Sequence, residues 1–218
     1  MTDAELIARP IIFSSPMIRA LLDGQKTQTR RIVKPQPVSY YDGICWFDDG
    51  DDHMPACPYG QPGDLLWVRE TWFDEYDEAT CRPLTPPRAI YRATERSEVR
   101  FMDDDGFTAF NRDGTMKSPW RPSIHMPRWA SRLTLRITDV RVQRLQEISE
   151  ADARAEGAPL ELRLLDSVRL GATASHTGGF ERLWESIHGP DSWASNPWVW
   201  CLSFRVIHKN IDEVVDDD

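Results

Sequence analysis

Two stretches commit this chain to a β-sheet core. In residues 131–145, Leu133, Leu135 and Ile137 recur at every second position, and Val140 and Val142 resume the pattern after a register change around Asp139. Successive side chains of a strand point to opposite faces, so period two predicts a strand with one face buried. Residues 198–207 (WVWCLSFRVI) are almost all aromatic, aliphatic or β-branched, which predicts a strand buried on both faces. Shorter strands are predicted over 65–71, after the turn Gln61-Pro62-Gly63-Asp64, and over 89–93.

Helices fall between these strands. Residues 15–23 carry Ser15 as a cap, Pro16 in the first turn and Gly24 as the stop, with Met17, Ala20 and Leu21 marking the apolar side. A second helix is predicted over 149–157, where Ser149 and Asp152 stand at capping-box spacing. A third follows Gly178-Gly179, with Phe180, Leu183, Trp184 and Ile187 at i, i+3, i+4 and i+7 and Gly189 ending it. Helices interspersed among mostly non-adjacent strands predict a small α+β barrel.

The chain has 218 residues, a length that suits one domain with insertions. We place that domain over 1–211, with insertions at about 35–62 and 73–126, both rich in Pro and Gly, and a disordered acidic tail over 212–218. No run reaches the ~18 consecutive apolar residues of a membrane span. The opening MTDAELIARP lacks the apolar stretch of a secretory signal. Four cysteines without a dense framework fit a reduced, cytoplasmic setting. Cys45, His53 and Cys57, with Cys81 nearby, lack the close cysteine pairs of most structural zinc sites, so no metal and no cofactor is expected.

The net charge of −9 argues against a protein that coats duplex DNA, which needs broad positive surface. Charge is unevenly spread, however. Residues 19–34 hold five cations and one Asp, and residues 121–144 hold six Arg and one Asp. Two basic segments in an acidic chain suit a small anionic site better than a long nucleic-acid track. Acids gather at 48–52, 103–105 and 216–218.

The segment Gly24-Gln25-Lys26-Thr27-Gln28-Thr29-Arg30-Arg31 concentrates the chemistry. A lysine becomes a base when burial or a neighbouring cation lowers its pKa. A threonine becomes a nucleophile when such a base lies within hydrogen-bond reach. Lys26 and Thr29 are three apart, and Arg30 and Arg31 are candidate contacts for a phosphate or carbonyl oxygen. The plain alternative is a basic loop entering a strand.

Helix, then G-x-K-T-x-T-x-R, then Gly63-Asp64-Leu65-Leu66-Trp67-Val68, then a long strand and a helix ending Ala155-Glu156-Gly157, resembles the ASCH family. Over nearly the whole chain the sequence is similar to longer, phage- or prophage-encoded members. It implies a PUA-like β-barrel flanked by helices. It also implies kinship with compact bacterial amidohydrolases that deacylate N4-acetylcytidine through a Lys, a Thr and a Glu. By motif, those positions are Lys26, Thr29 and Glu156 here. This chain is longer than the compact enzymes, and the surplus lies in the two insertions. Other members bind RNA without turnover or act as ribonucleases, although no residue here marks a group that would activate a ribose hydroxyl.

The partner expected from this reading is a modified nucleoside or single-stranded RNA, with no membrane involved. Nine tryptophans are available for stacking. Most would fill a core, but Trp120 and Trp129 flank a Pro- and Arg-rich stretch that also carries His125. These three are the candidate contacts to a base or phosphate.

Overall fold

The computed structural model describes residues 8–41, 44–46, 52–53, 56–77, 82–95, 120–164 and 172–216. In chain order its elements are β1 (Ala8–Ile12), α1 (Ser15–Leu22), β2 (Gln28–Ile32), β3 (Ser39–Tyr41), β4 (Ile44–Trp46) and β5 (Asp52–His53). Then come β6 (Leu65–Arg69), β7 (Trp72–Asp74), β8 (Tyr76–Asp77), β9 (Arg82–Pro83), β10 (Ala89–Tyr91) and β11 (Thr134–Arg144). The chain ends with α2 (Glu150–Ala155), β12 (Glu161–Leu164), β13 (Ala172–Ser175), α3 (His176–His188), β14 (Trp198–Ile207) and α4 (Ile211–Asp216).

The fold class is α+β, as the sequence predicts. The main sheet has the strand order β1-β6-β11-β14-β2, with different strands at its two ends, and no closed barrel is found among the described residues. Both long stretches expected as insertions contain strand structure. The first holds the antiparallel set β3-β4-β5, and the second holds the pairs β7-β10 and β8-β9.

Two compact units are distinguished. In the first, β14 and β2 run antiparallel, with Ser203 opposite Gln28, Leu202 opposite Thr29 and Cys201 opposite Arg30. The predicted turn before β6 is tied down by Gly63 N donating to Ile137 O and Ile137 N donating to Asp64 O, each at 2.9 Å. One cluster of this unit joins Ala153 and Ala158 of the α2 region, Phe180 and Trp184 of α3, and Val199 and Cys201 of β14. A second gathers Val33, Val142, Trp198 and Trp200. Burying each large side chain of this kind contributes about 1.5–3 kcal/mol.

Helix α3 starts earlier than the Gly178-Gly179 pair suggests. Ser175 caps it by accepting from Gly178 N at 2.9 Å, which draws both glycines into the first turn. Gly179 is needed there for space, because a Cβ at this position would lie 1.9 Å from the Pro159 carbonyl oxygen. The hairpin β12-β13 leads into the helix, with Glu161 opposite Ser175.

In the second unit, Val68 N of β6 donates to Leu133 O at 3.0 Å, and Ser131 Oγ donates to Val68 O at 3.0 Å. Its apolar cluster is built on Trp72, Met126 and Ala130. The expected disordered tail is instead helical over Ile211–Asp216. Ile211 and Val214 are buried, and Asn210 anchors the start, its side-chain amide donating to the carbonyls of Arg128, Trp129 and Ser131. Two apolar side chains at helical spacing, next to a residue with three polar contacts, outweigh the acidic composition.

Candidate functional site

The basic segment after α1 is shaped by its backbone. Gly24, at φ 68°, closes the helix in a left-handed conformation that suits glycine. The amides of Gln25 and Lys26 both turn back to Ala20 O at 2.9 Å. Thr27 then donates its N–H to Ala155 O of α2 at 2.8 Å and accepts from Phe204 N of β14 at 2.9 Å. The segment is thereby stitched to a helix and a strand, and Lys26 forms a single antiparallel bridge with Glu156.

Lys26 Nζ donates to Glu156 Oε2 at 2.7 Å and to the Glu156 carbonyl oxygen at 2.8 Å. Arg30 NH1 donates to Glu156 Oε1 at 3.1 Å and to Gln28 Oε1 at 3.0 Å, while its NH2 reaches Asp152 Oδ2 at 3.2 Å. Gln28 Nε2 donates to Asp152 Oδ1 at 3.0 Å, and Arg141 NH2 to Asp152 Oδ2 at 3.0 Å. The result is a chain of alternating charge: Lys26, Glu156, Arg30, Asp152, Arg141. Asp152 in the first turn of α2 and Glu156 at its C-cap are four apart and therefore share a face. The Lys26 and Arg30 side chains have no solvent exposure and Glu156 has almost none. Arg30 Nε has no hydrogen-bond partner among the described residues, and its guanidinium lies 5.8 Å from the centre of the Phe180 ring.

Electrostatics follow from enclosure. Burial holds the Lys26 amine below its ordinary pKa, with Arg31 and Arg30 adding to the effect, and these outweigh the opposing pull of Glu156. Burial likewise lowers Arg31, against the influence of Tyr59 and Glu156. For Asp152, burial raises the carboxyl pKa, but the hydrogen bond from Gln28 and the charges of Arg30 and Arg141 bring it below the ordinary value. Burial pushes the Cys201 thiol up to about 12.

Lys26 and Glu156, assigned by motif alone, are in direct contact, and Arg30 joins them. Thr29 is also buried, but Gln28 and Arg30, its neighbours on β2, both turn to α2. Strand alternation therefore sends Thr29 and Arg31 to the opposite face. Gln28, Asp152 and Arg141 were not anticipated. The available signal was the alternation of Lys26, Gln28 and Arg30 against the four-residue spacing of Asp152 and Glu156.

Trp120, His125 and Trp129 belong to the second unit. Trp120 meets Phe73 edge-on, with centroids 5.0 Å apart, and Arg92 lies 5.2 Å from the centre of the Trp120 ring. Trp129 meets the buried Trp72 edge-on at 5.7 Å while remaining 43% exposed. Arg121 lies over Trp72 at 5.2 Å and pairs with Asp74 at 2.7 Å. His125 is exposed at the end of the 3-10 turn Ser123–His125. This unit also holds a pair that sequence reading missed: half-buried Arg132 grips the buried Glu70 through two hydrogen bonds of 2.8 and 2.9 Å and lies 3.9 Å from the centre of the Tyr91 ring. Burial raises the Glu70 pKa despite Arg132.

Among the described residues, no group of three His, Cys, Asp or Glu could hold a metal ion. The side chains of Cys45 and His53, and the whole of Cys81, lie outside the described residues. No described helix is long and apolar enough to cross a membrane. Comparison with protein-family models, with curated proteins and with solved structures finds no match for this chain.

Proposed function

We propose that this chain is an ASCH-type, PUA-like protein that hydrolyses the amide of an N4-acylated cytidine or a related modified nucleoside. The observation that carries the reading is the enclosed contact of Lys26 Nζ with Glu156 Oε2 at 2.7 Å. A lysine whose pKa burial holds below the ordinary value releases a proton more readily than an exposed one and so is better suited to act as a base. In this reading the Lys26 amine leaves Glu156 and swings to the face of β2 that carries Thr29, where Thr29 Oγ attacks the acyl carbonyl and passes its proton to Lys26. The bond to N4 breaks, N4 takes that proton, and water then releases the acyl group from Thr29. Because β2 turns Thr29 away from α2, the nucleophile is the step that substitution must decide.

A second reading is a module that binds RNA or a modified nucleotide without turnover. It is favoured by the Arg-aromatic pairs of the second unit, Arg92 with Trp120 and Arg121 with Trp72, beside the exposed Trp129. Arginine planes and aromatic faces are the surfaces on which unpaired bases stack.

The deciding experiment incubates the protein with N4-acetylcytidine and follows cytidine by chromatography, beside Lys26→Met and Glu156→Gln. Conversion by the parent chain, absent in variants that circular dichroism shows to be folded at the assay temperature, supports the amidohydrolase. No conversion by any of the three overturns it, and titration with single-stranded RNA then tests the binding module.

A further inference from the structure

Lys26 is sealed inside the first unit, but its neighbours Gln25 and Thr27 open onto a cleft of about 590 Å³. That volume lies within the range of small-molecule sites, roughly 300–1,000 Å³. The floor is built from small side chains of the α2 region, Ala151, Ala155 and Ala158, and the exposed Leu160 stands at its edge.

Among the described residues no acidic side chain lines the cleft, although the chain as a whole carries a net charge of −9. An arginine and a histidine line it, Arg154 from α2 and His176 from the start of α3. Arg154 is exposed and makes no ion pair among the described residues. Glu150, the carboxylate near His176, is already engaged: it accepts from the backbone N–H groups of His176 and Thr177 at 2.8 and 3.1 Å.

His176 is oriented by the protein. Its Nδ1 lies 2.8 Å from the Ala158 carbonyl oxygen. A carbonyl only accepts, so Nδ1 carries the hydrogen, and Nε2 is left to bond a phosphate oxygen with a proton shared between the two. A guanidinium fork and an imidazole nitrogen on two different helices suit an anion that offers several oxygens. The alanine floor suits an apolar or planar body, and Gln25 and Thr27 add an amide and a hydroxyl.

We infer that this cleft is a binding site for a phosphate monoester of mononucleotide size, with Arg154 and His176 on the phosphate and the body on the alanine floor. The site is separate from the Lys26–Glu156 pair. Its test needs no turnover, so it can succeed or fail independently of the amidohydrolase reading.

The probe is cytidine 5′-monophosphate, titrated by calorimetry beside cytidine and inorganic phosphate. The variants are Arg154→Gln, His176→Asn and Ala151→Phe. Asn keeps a donor for the Ala158 carbonyl while removing Nε2, and Phe at the exposed position 151 fills the cleft. Each variant is checked by circular dichroism and thermal melting for an unchanged fold. The nucleotide is expected to bind at least about tenfold more tightly than cytidine or phosphate alone. Arg154→Gln and His176→Asn should each weaken it by about tenfold, the scale of a lost charge-assisted hydrogen bond, and Ala151→Phe should abolish binding. Absence of nucleotide binding to the parent chain overturns the inference. So does equal binding of cytidine or of phosphate alone, or an affinity left unchanged by the folded variants.

Discussion

Lys26 and Glu156 lie 130 positions apart and meet as a sealed ion pair, with Nζ 2.7 Å from Oε2 and 2.8 Å from the Glu156 carbonyl oxygen. Removing one partner strands the other in a medium that solvates it poorly. Lys26→Met and Glu156→Gln should each destabilise the fold by about 3–5 kcal/mol in urea unfolding. Because the two share a network, the double variant should fall short of the sum by at least about 0.5 kcal/mol. Strict additivity would show that the contact contributes no coupling.

Thr29 separates two chemistries. If its hydroxyl forms the acyl intermediate, Thr29→Val removes turnover of N4-acetylcytidine while Thr29→Ser keeps it, since Ser retains the oxygen and the position is already buried. We expect that pattern, read by chromatography alongside unfolding curves. A folded Thr29→Val that still deacylates would transfer the attack to a water molecule.

Acidification should act through Asp152. Its folded-state pKa lies below the ordinary value of 3.8, because Gln28, Arg30 and Arg141 outweigh its burial. Its stabilising contribution is therefore complete above that ordinary value and disappears as pH falls through the lower folded value. The stability gap between the parent and Asp152→Asn should be full at pH 7 and narrow below about pH 4, and subtracting the two curves cancels the other carboxylates. A gap that stayed constant into acid would remove the charge from the explanation.

Cys201 should be chemically silent. Its residue is wholly buried and its thiol is pushed up to about 12, so almost none is thiolate at pH 8. Peptide mapping after iodoacetamide treatment should find Cys201 unmodified in the native protein and alkylated in denaturant. Native labelling at the rate of an exposed thiol would contradict the burial.

Gly179→Ala should damage the fold out of proportion to one methyl group. The added Cβ would fall 1.9 Å from the backbone oxygen of Pro159, which has no flexible end to swing aside. A cost of about 1–3 kcal/mol or more is expected in urea unfolding. An unchanged midpoint would mean that the 159–179 contact relaxes freely.

Some of this architecture could be read before any coordinates. The alternation in 131–145 and the apolar run 198–207 mark β11 and β14 because strand faces impose period two, whatever the tertiary partners. The start of α3 was misplaced because local propensity reads Gly178-Gly179 as a break, whereas the Ser175 hydroxyl and the nearness of Pro159 hold both glycines inside the helix. In the site, spacing alone could not join Lys26 to Glu156, since nothing within either segment encodes a contact across 130 positions. Motif resemblance named that pair and Thr29, but not Asp152, which looked like half of a capping box. Ser149 does cap α2 by accepting from Asp152 N, yet the Asp152 carboxylate turns to Gln28, Arg30 and Arg141. A side chain with two available uses is settled by packing.

The peptide units around Thr27 have a kinetic consequence. Its N–H is held by the last turn of α2 and its carbonyl holds the Phe204 amide of β14. Neither amide can reach solvent deuterium without loosening the same short stretch of backbone, so the two should exchange together as one opening event. Fraying of the helix end would then reach the strand as a correlated breath, and a ligand that quiets one amide would quiet both.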